Sequence, residues 1–230
     1  MNILVLDTIH GGEALAQHLS TRGHHVDAVD VYRSESGIST DTAFVRRYDL
    51  IIAPVHLDPD HPLMKRDHTP YITHHEAVFL VLNGTEPHPC VEITGARGKT
   101  TTAYAIAHLL PGKGVLHTSA GTWECPKKHL LWKKSITPAS AIDAAFCAAN
   151  AGGWLVAEES LGVSGIGDVG VLCSTDDYAI AGGKKSALLE KIRLLSRCRQ
   201  VVVPEPVEIP GTTVIPVADA VSISGNSCTY

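Results

Sequence analysis

Thr94-Gly95-Ala96-Arg97-Gly98-Lys99-Thr100-Thr101-Thr102 follows an apolar β-run, Cys90 to Thr94, and opens a segment with helical spacing. Strand, glycine-rich turn and helix in this order make a phosphate cradle. The glycines let backbone N–H groups close around phosphate oxygens, and the helix N-terminus adds the positive end of its dipole. Lys99 is the residue to neutralise β/γ charge and Thr100 the one to hold Mg²⁺. The strict Walker pattern asks for glycine five residues before Gly98, where Ile93 stands, so the loop is a shortened variant. Gly95, Ala96, Arg97, Gly98, Lys99, Thr100 and Thr101 are the expected ATP contacts.

Working outward, the helix from Lys99 to Leu110 puts Ala103, Ile106, Ala107 and Leu110 on one face and stops at Pro111-Gly112. Gly114 to Thr118, Trp154 to Glu158, Val169 to Ser174 and Gln200 to Val203 read as strands. Thr137-Pro138 is an N-cap and first-turn pair for a helix to about Ala151, and a further helix spans Lys184 to Ser196. Short β-like runs near Val214 and Val221 follow, with no closing helix.

On the other side, strands at Asn2 to Asp7, Val26 to Val31 and Asp49 to Pro54 alternate with helices at Glu13 to Thr21 and Thr73 to Leu82. Alternation of this kind implies parallel pairing. Asn83-Gly84-Thr85-Glu86-Pro87-His88-Pro89 is punctuated like a linker. The expected organisation is therefore α/β, an N-terminal Rossmann-like domain at 1–88 followed by a P-loop domain at 89–230.

Bulk properties narrow the function classes. With 230 residues, 44% hydrophobic, the chain is long enough for a substantial core. A net charge of −5 and a pI near 6.2 argue against coating nucleic acid or an anionic membrane. Met1-Asn2-Ile3-Leu4-Val5-Leu6 runs straight into Asp7 and reads as a first strand rather than a signal peptide, and no run reaches transmembrane length. The six cysteines (Cys90, Cys125, Cys147, Cys173, Cys198, Cys228) form no C-x-x-C pair, as suits reduced structural thiols in a cytoplasm.

A P-loop needs a carboxylate to complete a Mg²⁺ site. Trp154-Leu155-Val156-Ala157-Glu158-Glu159-Ser160 supplies two at the end of an apolar strand; an unpaired buried carboxylate is costly, so one of Glu158 and Glu159 should meet a cation. A second cluster, Ser174-Thr175-Asp176-Asp177-Tyr178, offers Asp177 for Mg²⁺ or the adenosine, with an Asx turn as the plain alternative. Ten of the thirteen histidines precede Cys90, with pairs at His24-His25 and His74-His75. Lacking the spacing of a metal motif, they suit contact with an anionic substrate better, together with Arg46-Arg47. Trp123 to Ser135 carries four lysines between and beside two tryptophans and is either a polycarboxylate grip or a solvated basic hairpin. Asp30 ends a second strand as in dinucleotide folds, but only Gly11-Gly12 follows the first strand, so NAD and FAD are disfavoured.

Thr94 to Thr102, Thr118-Ser119-Ala120-Gly121-Thr122, Ile136-Thr137-Pro138 and Val156-Ala157-Glu158-Glu159-Ser160 resemble, in that order, the central ATPase domain of the Mur ligases. The resemblance covers roughly Cys90 to Val203. It implies ATP-dependent activation of a carboxylate as an acyl phosphate, with Lys99 and Glu158 as catalytic residues and Thr100, Glu158 and Asp177 around Mg²⁺. Glu159 falls where the family usually has a neutral residue, Asp177-Tyr178 where it has Asp-His, and Arg97 replaces the usual Asn, adding a guanidinium near the phosphates.

Val5-Leu6-Asp7-Thr8-Ile9-His10-Gly11-Gly12 beside an Arg-containing loop resembles the coenzyme F-430 synthase branch of that family. That likeness implies a nickel tetrapyrrole substrate, with His10, Gly11, His74 and Thr137 as substrate contacts and a ring carbon capturing the acyl phosphate. The alternatives are an amide-forming relative of the poly-γ-glutamate synthase type, or a nucleotide-binding module without full activity. Mur ligases usually carry a third domain, and the 230 residues end before one forms.

Overall fold

A computed structural model describes residues 1–210 except Ser34 and Asp67, the backbone of 213–216, 222–224 and 227–229, and the Thr213 side chain. Val221, expected in a β-like run, lies outside the described residues, as does the Cys228 side chain. The fold is α/β, with a Rossmann-like parallel sheet preceding the P-loop sheet.

The first sheet holds β1 (Asn2–Leu6), β2 (His25–Val29), β3 (Leu50–Ala53) and β4 (Tyr71–Thr73), all parallel in the order β2-β1-β3-β4. Helix α1 (Glu13–Thr21) joins β1 to β2, α2 (Thr40–Val45) joins β2 to β3, and α3 (His74–Leu82) follows β4. β2 ends before Asp30 because that carboxylate turns the chain, accepting from the N–H groups of Tyr32 (3.0 Å), Arg33 (2.9 Å) and Glu35 (3.2 Å). β4 is absent from the sequence reading: three residues give too short an alternation to register. Thr73 at its end starts α3 through a reciprocal cap with Glu76.

The second sheet takes β5 (Cys90–Thr94), β6 (Gly114–Thr118), β7 (Gly121–Cys125), β8 (His129–Trp132), β9 (Trp154–Glu158), β10 (Val169–Leu172), β11 (Gln200–Val203) and β12 (Thr213–Pro216). Its order is β12-β11-β10-β5-β9-β6-β7-β8. The strands from β12 to β6 are parallel, and β7 and β8 add an antiparallel hairpin. The helices are α4 (Lys99–Leu109), α5 (Pro138–Ala151) and α6 (Ala187–Leu195). α6 starts three residues later than its spacing suggests, because Lys185–Ser186 pairs with Ala179–Ile180 and the Ser186 hydroxyl then caps the helix at Leu189 N–H.

The two sheets share a core. Leu15 and Leu19 of α1, Ala77, Val78 and Val81 of α3, and Ile142, Ala145 and Ala148 of α5 form one apolar cluster with Ile3, Val5 and Ile52 of the first sheet and Val115 and Leu155 of the second. Alanines on α5 let helix and sheet backbones approach closely, so the three helices fit as a single middle layer. On the far side of the second sheet α4 packs Ala103, Ile106 and Ala107 against Val91, Ile93 and Val156. On the far side of the first, Ala43 of α2 covers Leu4 and Ile51. No helix among the described residues is long and apolar enough to cross a membrane. The five described cysteines are free thiols.

Candidate active site

In an open parallel sheet, chemistry collects at the carboxyl ends of the strands. Gly95 to Gly98 follow β5, Ser119 follows β6, Glu158 closes β9 and Ser174 follows β10. Gly95 (φ 148°) and Gly98 (φ 84°) hold backbone angles that disfavour a side chain, and the turn between them delivers Lys99 to the first helical position of α4. The N–H groups of Ala96 (3.0 Å) and Arg97 (3.3 Å) point at the Ser174 hydroxyl. Lys99 Nζ folds back onto the Gly95 carbonyl at 3.1 Å.

Three oxygens meet at the start of α4. Thr100 Oγ1 donates to Glu158 Oε2 at 2.8 Å, and Ser119 donates to the same oxygen through its N–H (3.1 Å) and its hydroxyl (3.2 Å). A buried carboxylate held by hydroxyls rather than by a cation is a hard-oxygen set of the type Mg²⁺ takes. A group absent from the sequence reading stands within reach of the Lys99 charge. Lys191 on α6 is fully buried, its Nζ 4.7 Å over the Tyr178 ring and without a hydrogen-bond partner among the described residues. Burial first, then the Lys99 charge, pull its pKa down. A lysine amid amphipathic spacing reads as solvent-facing, which hid it.

Glu159 goes the other way. Ile93 pairs with Glu158 in the β5–β9 register, so strand alternation sends Glu159 to the side of Glu92. Glu92 is buried and accepts from the N–H groups of Ser164 (2.8 Å), Gly165 (3.0 Å) and Gly167 (2.8 Å), and from the Ser164 hydroxyl. Burial and the neighbouring Glu92 carboxylate push Glu159 well above the ordinary carboxyl range, which favours its protonated form.

A cleft of about 410 Å³ runs from this centre to the first sheet, lined by Ser119 and Thr137 on one side and His10, His56, His74 and His75 on the other. Asp7, straight after β1, is fully buried; it accepts from His10 Nδ1 at 2.6 Å and lies 3.5 Å from His56 Nε2. Burial alone would raise this carboxyl, but the hydrogen bonds from His56 and His10 outweigh it and hold the group below its ordinary value. His74 donates to the Leu6 carbonyl (2.8 Å) and His75 to the Ser160 carbonyl (2.9 Å); burial lowers both to about 4. They are neutral walls. Gly11 touches α5 at Thr137, where a Cβ would stand 2.5 Å from Thr137 Oγ1.

Other expected contacts are engaged elsewhere. Asp177 fastens the approach to α6, accepting from Tyr178 N–H (2.8 Å), Leu188 N–H (2.9 Å) and the Ser186 hydroxyl (2.8 Å), the turn-forming alternative of the sequence reading. Arg97 grips Asp176 with two hydrogen bonds, of 2.9 and 2.8 Å. Arg46 pairs with Asp27 at 2.9 Å, away from the cleft. The lysine-rich segment is the β7–β8 hairpin and its exit, where Lys134 pairs with Asp143 at 3.1 Å. His56 and Lys191 are not singled out in the sequence, and Asp7 and Ser119 stand inside the stretches that carry the resemblance without a role of their own.

No protein-family model matches the chain. It is similar to the coenzyme F(430) synthetase of Methanosarcina acetivorans, 34% identical over 86% of this chain and 48% of that protein. The coenzyme F(430) synthetase of Methanocaldococcus jannaschii is 27% identical over 84% of this chain and 49% of its own length. A UDP-N-acetylmuramoylalanine–D-glutamate ligase of Chlamydia caviae is 28% identical over 58% of this chain and 35% of its own. The chain thus spans about half the length of the two synthetases.

Proposed function

We propose, from its similarity to two coenzyme F(430) synthetases and to a UDP-N-acetylmuramoylalanine–D-glutamate ligase, that this chain is part of an ATP-dependent ligase that activates a substrate carboxylate as an acyl phosphate. The carboxylate belongs, in this reading, to the open-ring nickel tetrapyrrole that precedes coenzyme F-430, and a ring carbon captures the acyl group to close the last carbocycle. The observation that carries the proposal is the convergence of Thr100, Ser119 and Glu158 beside the glycine loop, at the end of the histidine-lined cleft.

Residues 89–230 act as the ATPase unit and 1–88 as the substrate unit. The loop N–H groups and Lys99 hold the β- and γ-phosphates, with Lys191 adding a second positive charge behind them. Thr100 and Glu158 hold Mg²⁺, which when bound neutralises charge on the transferring phosphoryl group. Asp177 serves here as the fastening of α6 rather than as an ion ligand. The substrate carboxylate attacks the γ-phosphorus, forming a new P–O bond as ADP leaves. The nucleophile then attacks the acyl carbon, and inorganic phosphate departs with the C–O bonding pair. His10, Gly11, His74 and Thr137 face the substrate along the cleft, and the buried wall keeps water from the acyl phosphate.

Incubation of the full-length protein with Mg-ATP and the open-ring nickel tetrapyrrole tests this by mass spectrometry. One water should be lost from the substrate for each phosphate released. Lys99→Ala should abolish that turnover and leave the circular dichroism spectrum unchanged. Absence of turnover in the full-length wild-type protein overturns the proposal, and product formation only with an added amine makes the enzyme amide-forming instead.

A further inference from the structure

Whatever nucleophile attacks the activated carboxyl group must lose a proton, and phosphate release does not remove it from the attacking atom. We propose that Asp7 and His10 form a general-base dyad at the mouth of the cleft that takes this proton.

The geometry is that of an oriented imidazole. Asp7 Oδ1 is fixed by the N–H groups of Ile9 (3.1 Å) and His10 (3.2 Å), and Oδ2 accepts His10 Nδ1–H at 2.6 Å. With Nδ1 carrying the proton, the lone pair sits on Nε2, as in a base oriented by a buried carboxylate. The Asp7 side chain is 0% exposed and that of His10 is 53% exposed, so the orienter is buried and the base is open to the cleft. The ring is held by neighbours: His56 stands edge-on at 5.1 Å and Tyr32 at 5.8 Å. Asp7 keeps a left-handed backbone (φ 71°, ψ 86°), a conformation that costs a non-glycine residue free energy and is retained where the surroundings demand it. Gly11 against Thr137 fixes the loop on α5, and Ser119, which binds Glu158, lines the same cleft. Base and phosphate end therefore open onto one space.

Asp7, His10 and His56 also have the donor atoms of a metal site. Two ligands of one ion at bond lengths of 2.0–2.1 Å stand roughly 3.3 Å apart in tetrahedral geometry. The His10–Asp7 separation of 2.6 Å is a hydrogen bond instead. His74 and His75 already direct a ring nitrogen at a backbone carbonyl, and His56, 3.5 Å from Asp7 and 29% exposed, is the more distant and more covered of the two imidazoles beside that carboxylate, which leaves His10 as the base.

The inference rests on the acyl-phosphate reading. In the step, the base nitrogen gains the proton of the nucleophilic atom, whose freed electron pair forms the bond to the acyl carbon. The acyl C–O bond breaks and phosphate leaves with its pair.

The full-length protein is assayed with Mg-ATP and the open-ring nickel tetrapyrrole, with and without hydroxylamine, which traps an acyl phosphate as a hydroxamate. In His10→Ala and His10→Gln the ratio of ring closure to hydroxamate formation should fall by about 10²–10⁴-fold. Added imidazole should restore part of the closure rate in His10→Ala. Ring closure within threefold of wild type in both variants overturns the dyad, and so does loss of hydroxamate in equal proportion to closure, which would make His10 a substrate contact and no base. Absence of ATP-dependent hydroxamate in the wild type sinks the ligase reading itself and the dyad with it.

Discussion

Glu158 and Glu159 are adjacent in sequence and do opposite work: the first meets the Thr100 hydroxyl at 2.8 Å, the second lies buried beside Glu92, which pushes its carboxyl above the ordinary range. Their difference follows from strand alternation and from what covers each face of β9. Glu158→Gln should lower Mg-ATP turnover by about 10²-fold or more, since loss of an ion ligand forfeits several kcal/mol of charge stabilisation. Glu159→Gln replaces a carboxyl whose burial favours the neutral form by an amide of nearly the same shape and should leave turnover within about twofold. Steady-state phosphate release on the two variants decides it; equal losses would mean that the acids share one role.

The same residue shapes the pH dependence of stability. Burial lowers His74, His75 and His117 to about 4 from an ordinary 6.5, so below pH 6.5 the unfolded chain binds protons that the folded chain refuses. Stability should therefore fall as pH drops, by about 2 kcal/mol per histidine at pH 5. Glu159 has the reverse sign, because its folded pKa is raised: the native state keeps a proton that the unfolded chain releases above the ordinary carboxyl range, and stability falls as pH rises. Between pH 4 and 6.5 three histidines outweigh one glutamate, so stability rises with pH. Urea melts should show that rise from pH 5 to 6.5, and Glu159→Gln should steepen it by removing the opposing slope. A wild-type profile flat over this range would contradict the histidine assignments, and an unchanged slope in Glu159→Gln the glutamate one.

How far the sequence reached depends on how local each signal is. The phosphate loop was legible because glycines, strand and helix signals sit within nine residues, and Thr137-Pro138 marks the start of α5 for the same reason. The fold class followed from alternation of strands and helices. Illegible were the relations that the chain makes over long separations. Asp7 and His56 are brought together by parallel pairing of β1 with β3, and nothing around either residue encodes that register. Strand alternation separates Glu158 from Glu159 but does not say which side α4 occupies. Asp177 was ambiguous because a carboxylate capping a helix and one binding an ion have the same sequence.

Gly11 tests how the first sheet is seated on α5. It has φ 95°, and an added methyl would meet Thr137 Oγ1 at 2.5 Å and Ala139 Cβ at 3.4 Å. Gly11→Ala thus combines an unfavourable backbone angle with a steric clash and should destabilise by about 1–3 kcal/mol. Because the loop between Asp7 and α1 must shift to relieve it, substrate KM should rise more than ATP KM. Thermal melts and both constants, measured on one preparation, check the prediction; unchanged substrate KM with lowered stability would detach Gly11 from the substrate side.

Arg97 stands in the phosphate loop with its guanidinium on Asp176, the side chains 79% and 43% exposed. An exposed pair contributes little to stability, about 1 kcal/mol or less, so neither Arg97→Ala nor Asp176→Asn should move the melting midpoint appreciably. Their effects on nucleotide should diverge. If the guanidinium leaves Asp176 for phosphate oxygens on binding, Asp176→Asn frees it beforehand and tightens ATP several-fold, whereas Arg97→Ala weakens ATP by a similar factor. Arg97→Lys keeps the charge and loses the two-pronged geometry, and should fall between. Calorimetric titration with a non-hydrolysable ATP analogue resolves the three. An Asp176→Asn protein that binds the analogue more weakly than wild type would show that Asp176 positions Arg97 for the nucleotide rather than competing for it.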